Sequence, residues 1–374
     1  MKILIIDNLA VKSSRREIYR ELAKKNGEAI SLLVPDSWKE QGILTKYEEE
    51  KSDLLKVYAS PFLFGYRHQR IIYTKLKSIL ELVQPEVVFI SSEPENFNTY
   101  HLVRLVNKYF QNIKIVCATW RNIDYRFNAY PYKLGFLNKI IERYTIKKIN
   151  LCVAHSYSAV DIMQQISSWE IVFVPPAIDL KIFTFNPLGR KDYVVGYIGR
   201  LSKEKGVDIL IKAISKLDIT CLIVGRGAEK NYLKSLASDL GIADKITWVD
   251  AVQYEEVPLY LNQIQILVLP SRTTRKWKEQ FGRILIEAMA SGVYVIGANS
   301  GDIPKVVGEY GFLFKEEDVD ELSNLIERIK NNQVPDELLL KARKMVEENY
   351  SIEKAVNVMY ESFRKLVQKN MNSL

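Results

Sequence analysis

Short apolar strands alternate with amphipathic helical stretches along the whole chain, and halfway along the alternation starts again. A chain patterned this way has few options: strands separated by helical crossovers pair in parallel, and the helices cover both faces of the sheet. In the first half, strands are predicted over residues 3–6, 29–34, 87–90, 115–118, 151–154 and 171–174, and helices over 14–25, 67–83, 99–110, 132–147 and 159–166. The strand pattern resumes at 194–198 and continues through 222–224, 246–249, 266–269 and 293–296. Between the halves, Pro175-Pro176 and the stretch 179–190, with Pro187 and Gly189, read as a linker. The expectation is an α/β protein of two Rossmann-like domains, 1–177 and 178–350, followed by a helical segment over 351–374. Ligands of open parallel sheets sit beyond the carboxyl ends of the strands, so two such domains are expected to face each other across a cleft there.

A length of 374 residues suits two domains, and 47% hydrophobic residues supply two cores while 26% charged residues argue against disorder. The apolar runs are strand-length, far below the ~18 residues a spanning helix needs. The opening MKILIID reads as a strand and not as a signal peptide. Cys117, Cys152 and Cys221 sit in apolar strand contexts and read as buried thiols of a reducing, cytoplasmic compartment. The net charge of +8 is unevenly spread: residues 1–176 hold 25 Lys and Arg against 18 Asp and Glu, and residues 101–150 hold 10 against 2. Such a band is either a solvated face or a surface attracted to anionic lipid on the inner membrane face. Nucleic acid is not expected, because no recognition motif accompanies the basic charge.

In KEQFGRILIEAMASG, Glu279 and Glu287 stand eight positions apart, about two helical turns. If a helix opens near Gly282, both carboxylates lie along one edge of it, near the positive end that attracts phosphate oxygens. Carboxylates accept from hydroxyls, so the edge suits a ligand that combines hydroxyls with phosphates. On a solvated helix the same spacing would be merely structural. Phe281-Gly282-Arg283 places a glycine at the helix mouth, where backbone approaches a ligand closely. Upstream, Gly199-Arg200 ends a strand and Lys205-Gly206 opens a helix, which aims two cations at a possible diphosphate position. The GRG at 225–227 lacks the third glycine of a dinucleotide fingerprint and reads as a turn. Asp318-Val319-Asp320 imitates a metal-binding pair, but its place at a helix start favours dipole compensation, and no metal is expected.

EQFGRILIEAMASG and GYIGRLSKEKG (196–206) together resemble the retaining glycosyltransferases of family 4, which have the GT-B fold. VLPSR (268–272), the SGDIP loop (300–304) and GFLF (311–314) match as well, and SEPENFNTYHLVRL (92–105) and ATWRNIDYRFNAYP (118–131) match a subset of that family. The resemblance implies a donor substrate, a UDP- or GDP-linked sugar, and no separate cofactor. It implies that Arg200 and Lys205 neutralise the departing diphosphate, that Glu287 holds the ribose and Glu279 the transferred sugar. The backbone of Gly199, Phe281, Gly282 and Arg283 would line the donor, and the terminal helix would cross back to the first domain. Retention would proceed by front-face substitution, with the leaving phosphate deprotonating the acceptor hydroxyl.

Three departures carry expectations of their own. The loop after the first strand, 7–12, has no glycine; the capping box Ser14–Glu17 follows it, and Lys12, Arg15 and Arg16 are surplus cations assigned to an anionic acceptor. The family's frequent first-domain histidine is replaced by Thr119-Trp120-Arg121-Asn122, so Arg121 or Asn122 is expected to face the ligand. His68, His101 and His155 read as structural. Lys305 follows the SGDIP loop where the family commonly has Glu. The sequence reading is a metal-independent hexosyltransferase acting on a lipid-linked or cell-surface glycan, peripheral to the membrane. A soluble sugar or glucan synthase of the same fold, and a non-catalytic sugar-nucleotide binder, stay open as alternatives.

Overall fold

The computed structural model describes residues 1–40, 43–110, 112–125, 135–187, 189 and 191–371. It divides into two compact units, one of residues 1–175 with 352–374, the other of residues 176–351. Residues 126–131 of the second first-half motif, the start of the predicted helix 132–147, and Arg190 of the linker lie outside the described residues.

Unit 1 begins β1 (Ile3–Ile6), α1 (Glu17–Asn26), β2 (Ile30–Pro35), β3 (Ser37–Glu40), β4 (Ile43–Lys46), β5 (Leu55–Ser60), β6 (Phe62–Leu63) and β7 (Ile72–Tyr73). It continues α2 (Leu76–Val83), β8 (Val87–Ile90), α3 (Phe97–Tyr109), β9 (Lys114–Thr119), α4 (Gly135–Ile146), β10 (Leu151–Ala154), α5 (Tyr157–Ile166) and β11 (Glu170–Phe173). Seven strands form one sheet in the order β11-β10-β9-β8-β1-β2-β5, every pair parallel. β1 is buried throughout, which is why it reads as an uninterrupted ILII and not as an alternating strand. The chain winds outward from β1 in both directions, so a switch point lies between β1 and β8.

Unit 2 begins β12 (Tyr193–Ile198), α6 (Val207–Ile214), β13 (Cys221–Val224), α7 (Lys230–Asp239), β14 (Ile246–Val249), α8 (Val257–Leu261) and β15 (Ile264–Leu269). α9 (Arg283–Ala290), β16 (Tyr294–Ala298), α10 (Ile303–Val307), β17 (Phe312–Phe314), α11 (Val319–Lys330) and α12 (Glu337–Tyr350) complete it. Its parallel sheet runs β14-β13-β12-β15-β16-β17, the doubly wound Rossmann order with a switch point between β12 and β15. The last helix, α13 (Ile352–Met371), belongs to unit 1, where it packs on α1. Its buried stripe of Ala355, Val356, Met359 and Phe363 recurs at helical spacing, and Phe363 meets Phe89 of β8 at 5.9 Å between ring centres.

Two local expectations are corrected, and strands appear beyond those predicted. The stretch 67–83 is helical only from Leu76, because residues 67–71 turn and β7 pairs with β6 as a hairpin. The capping box at Ser14 does not form: residues Ser13–Arg16 make a 3-10 turn without a side-chain cap, and α1 starts at Glu17. β5 (LKVYAS), at the sheet edge, and the β3–β4 hairpin (SWKE and ILTK) are strands not predicted from the sequence. β17 completes the second sheet where the pattern had been followed only to residue 296.

The three cysteines are buried and free. Cys117 and Cys152 are partners across β9 and β10, and burial pushes the Cys221 thiol up to about 12. Asp318 accepts from the Glu321 amide at 2.9 Å and so caps α11, which accounts for its half of the Asp-Val-Asp pattern. No described helix is long and apolar enough to cross a membrane.

Candidate functional site

The switch point of unit 2 is where the loop leaving β12 meets the loop leaving β15, and this topology brings residues 199–206 beside residues 270–282. Contact is close enough that a Cβ on Gly206, whose φ is +65°, would stand 1.9 Å from the Pro270 carbonyl oxygen. Lys205 reaches across and donates to Oε2 of Glu279, with its ammonium 4.9 Å from the centre of the Trp277 ring. Ser271, fully buried, donates to the same oxygen at 2.8 Å. Both contacts fall on Oε2, so Oε1 of this buried carboxylate has no hydrogen bond among the described residues. A ligand hydroxyl is what such an oxygen can accept. Arg200, at the same loop's start, is 57% exposed, and its guanidinium is held only loosely by Glu204 at 4.0 Å. Its carbonyl accepts from the Tyr197 hydroxyl at 2.7 Å, which fixes the backbone beneath an exposed charge.

Arg272 locks the two loops. Its Nη1 donates to the Lys203 carbonyl at 3.0 Å, its Nη2 to Asp208 at 3.0 Å, and its Nε to Glu317 at 2.6 Å, while its amide donates to the Glu204 carbonyl at 2.9 Å. A planar guanidinium with fixed donors suits this clamp, and it sets where Lys205 begins. On the other flank the SGDIP loop holds Glu279 from behind. The Asp302 amide donates to the Glu279 carbonyl at 3.1 Å, and Gly301, at φ +55°, lies so close to that carbonyl that a Cβ would stand 1.9 Å away.

α9 opens at Gly282, which has φ +79° and therefore favours glycine. The Phe281 ring is buried and meets Tyr350 edge-on at 5.5 Å, so only its backbone is available to a ligand. Glu287 is buried one turn into the helix, where burial pushes its carboxyl up and Arg283 and Tyr254 pull it down. Arg283 bridges these groups: Nε donates to Glu287 at 2.9 Å, Nη2 donates to the Tyr254 hydroxyl, and the guanidinium lies 4.4 Å from the Tyr254 ring centre. Gly199 donates to the Val224 carbonyl at 3.0 Å. The GRG reading as an ordinary turn is corrected, because a Cβ on Gly225 would stand 1.9 Å from the Gly199 carbonyl oxygen and one on Gly227 2.0 Å from that of Leu201. These glycines let the loops after β12 and β13 lie against each other.

In unit 1 the candidate acceptor residues fare differently. Arg16 is fully buried: Nε donates to the Ala10 carbonyl at 2.8 Å, Nη2 to those of Val11 and Glu48 at 2.8 and 2.7 Å, and Nη1 pairs with Glu50 at 3.3 Å. It staples the loop after β1 and is no ligand cation. Lys12 is half-buried and Arg15 exposed beside it. Arg121 is turned inward, paired with the buried Glu142 and stacked 4.3 Å from the Tyr125 ring centre, and Asn122 is buried as well. The expectation that Arg121 faces a ligand is therefore corrected: a buried guanidinium needs a carboxylate, and Glu142 supplies it.

Around Arg121 lie two more carboxyls. Glu93 accepts from the Trp120 amide at 2.7 Å. Burial and the neighbouring Glu93 carboxylate push Glu95 up to about 8, and the Oε2 atoms of both have no hydrogen bond among the described residues. The switch point itself is lined by Asp7, which accepts from the Tyr19 hydroxyl at 2.8 Å, and by Asn8, whose amide nitrogen lies 3.1 Å from Nδ1 of His68. Burial pushes His68 down. Sequence reasoning missed Ser271, Arg272, Trp277 and the Asn8–His68 pair. Ser271 and Arg272 stood inside a matched motif, but the other contacts join residues with no recognisable spacing.

Residues 180–352 match the family model described as glycosyl transferases group 1. This chain carries a glycosyl transferases group 1 domain. It is 27% identical over 213 residues to D-inositol 3-phosphate glycosyltransferase of Mycobacterium ulcerans. It is 31% identical over 173 residues to GDP-mannose-dependent alpha-(1-6)-phosphatidylinositol monomannoside mannosyltransferase of Mycolicibacterium smegmatis. The matches cover 52% and 41% of this chain, and the chain spans 45% of each relative's length. Over 99% of its length the chain is similar to sucrose-phosphate synthase from Thermosynechococcus elongatus, covering 100% of that chain with a TM-score of 0.76 at 17% identity. It is likewise similar to HepE of Anabaena in complex with UDP, with a TM-score of 0.69 at 16% identity and full coverage of both chains. The group 1 domain thus sits in a chain whose fold is GT-B throughout.

Proposed function

We propose that this protein is a retaining glycosyltransferase that moves a hexose from a UDP- or GDP-linked donor to a hydroxyl of a lipid-linked or cell-surface glycan. The observation that carries the reading is the buried Glu279, held by Lys205 and Ser271 through one oxygen while the other stays open. In this reading Oε1 of Glu279 accepts from a hydroxyl of the transferred sugar. The donor diphosphate takes its place beside Arg200 and Lys205 at the mouth of α9. Lys205 then shares its protons between Glu279 and a phosphate oxygen, and Arg200 swings from Glu204 to the phosphate. Both charges grow in value as the sugar–oxygen bond breaks, because negative charge accumulates on the diphosphate. The departing phosphate oxygen takes the proton from the incoming hydroxyl on the same face, which preserves the anomeric configuration and requires no separate base. Charge neutralisation by two side chains makes a metal unnecessary to this scheme. Glu287, with Arg283 and Tyr254, holds the ribose.

The acceptor reading draws on unit 1 and on the relatives. Asp7, Asn8 and His68 lie at its switch point, and with Arg16 buried, Lys12 and Arg15 on the loop after β1 keep the role of receiving an anionic group of the acceptor. One relative is named for a phosphorylated inositol and another for a phosphatidylinositol mannoside, both acceptors with anionic groups. Thermal-shift titration with UDP- and GDP-sugars tests the donor, since a ligand at 100 times its Kd stabilises by about 2.7 kcal/mol. Stabilisation together with slow release of free hexose from one donor is the expected result. Binding without any release of hexose would leave a sugar-nucleotide binding protein instead.

A further inference from the structure

Helix α4 is built inside out. Its inward side is polar: Asn138 donates to the Glu95 carbonyl at 3.0 Å, Thr145 to the Pro94 carbonyl at 2.6 Å, and Glu142 pairs with Arg121. Its outward side is apolar, with Phe136 63% and Ile140 61% exposed and Tyr144 beside them at the next helical repeat. A helix of a freely soluble surface has the reverse arrangement.

The apolar face continues beyond the helix. Tyr144 meets Tyr100 edge-on at 5.3 Å, Tyr100 meets Phe97 at 6.0 Å, and Phe97 meets Phe64 at 6.4 Å. Phe64 tips the β6–β7 hairpin, 61% exposed, at φ +69°, a backbone conformation that a bulky side chain rarely adopts. Strain of this kind persists where surrounding structure imposes it, and it clusters at functional positions. The outcome is a contiguous strip of aromatic and aliphatic side chains drawn from a hairpin, α3 and α4, all within unit 1.

Its charge has one sign. Arg67 and Arg70 follow Phe64, Arg104 lies 5.8 Å from the Tyr100 ring centre, and Lys139 and Arg143 flank Ile140, all of them exposed. The lone acid of α4, Glu142, faces inward. Amphipathic rings and aliphatic side chains ringed by arginine and lysine match the interface of a bilayer with anionic headgroups. We infer that this strip docks unit 1 on an anionic lipid membrane, with α4 lying in the plane of the headgroups. The inference deepens the reading of a lipid-side acceptor and rests on it.

The test is co-sedimentation of the full chain with vesicles of phosphatidylcholine alone or mixed with phosphatidylglycerol. Binding to the mixed vesicles, weakening as sodium chloride is raised, and at least about tenfold weaker to neutral ones, is expected. Phe136→Ser with Ile140→Ser removes only exposed side chains, so the thermal midpoint should hold while vesicle partition falls about tenfold or more. Arg104→Gln with Arg143→Gln should weaken binding and flatten its salt dependence. Equal binding of wild type and the Phe136/Ile140 variant overturns the inference, as does equal binding to both vesicle types. Wild type that ignores vesicles but self-associates in lipid-free buffer, with a monomeric variant, also overturns it and assigns the strip to a second copy of this chain. Release of hexose from the donor sugar in lipid-free buffer is read separately on the same variants. A failed docking surface with hexose release intact is then distinct from a failed glycosyltransferase reading.

Discussion

At Lys205 one ammonium balances one buried carboxylate, with an aromatic ring close to the ammonium. The pair is poised because the lysine can turn to a phosphate without leaving Glu279 wholly uncompensated, since Ser271 remains bonded to it. Lys205→Ala is expected to lower kcat by about 10²- to 10³-fold, the usual effect of removing one group aimed at developing charge, with a smaller change in donor KM. Steady-state kinetics against the best donor checks this; an unchanged kcat would remove the lysine from the chemistry. Glu95 supplies a second prediction. Burial raises its carboxyl from an ordinary 4.5 to about 8, so the folded protein keeps a proton that the unfolded chain releases between those values. Stability should therefore fall as pH rises from about 4.5 to about 8 and level off above, because the native state binds more protons in that window. Glu95→Gln holds no titrating proton and should flatten the slope, gaining on wild type by up to about 3 kcal/mol between pH 5.5 and pH 8. Urea unfolding at both pH values reads it out, and an identical slope in the variant would sink the assignment. Glu93 is raised as well, so part of the slope should survive in the variant.

Between elements, backbone meets backbone at the carboxyl ends of the unit 2 sheet. Gly206, Gly225 and Gly301 each sit where a Cβ would press on a carbonyl oxygen of another loop. The loops around Lys205 and Glu279 are thus positioned by direct backbone packing, which holds a site more tightly than flexible side chains do. Gly206→Ala should cost about 1–3 kcal/mol in strain, since it adds both a steric clash and an unfavourable positive φ. It should also weaken donor binding by displacing Lys205 next door. Calorimetric titration of UDP alongside circular dichroism separates the two effects. Full-strength UDP binding in a folded variant would show that the loop has more freedom than its packing implies.

Over the whole molecule, unit 1 is assembled from two distant stretches of sequence, with unit 2 inserted before α13. The closing helix buries Phe363 completely, against Phe89 of β8. Phe363→Ala should destabilise unit 1 by about 3–5 kcal/mol, as removal of a buried aromatic ring generally does. The thermal midpoint of unit 1 read by calorimetry should shift down, while an unchanged midpoint would mean that α13 adds little. Because α13 follows unit 2 in the chain, residues 1–175 cannot complete their core until unit 2 has been synthesised.

Periodicity alone determined that this is a doubly wound α/β chain with a break near residue 176, since apolar runs separated by amphipathic stretches leave parallel sheets as the one economical way to bury them. It placed Glu279, Glu287, Gly199, Arg200 and Lys205 at strand and helix ends, because those positions follow from local pattern. Local pattern could not reveal that Arg16 and Arg121 are buried, for a cation's burial depends on distant partners: Glu48 and Glu50 for one, Glu142 for the other. Nor could it show that Ser271 and Lys205 converge on one oxygen of Glu279, or that the apolar side of α4 points outward. Those are facts of packing between residues far apart in the chain, and only the folded backbone sets such distances.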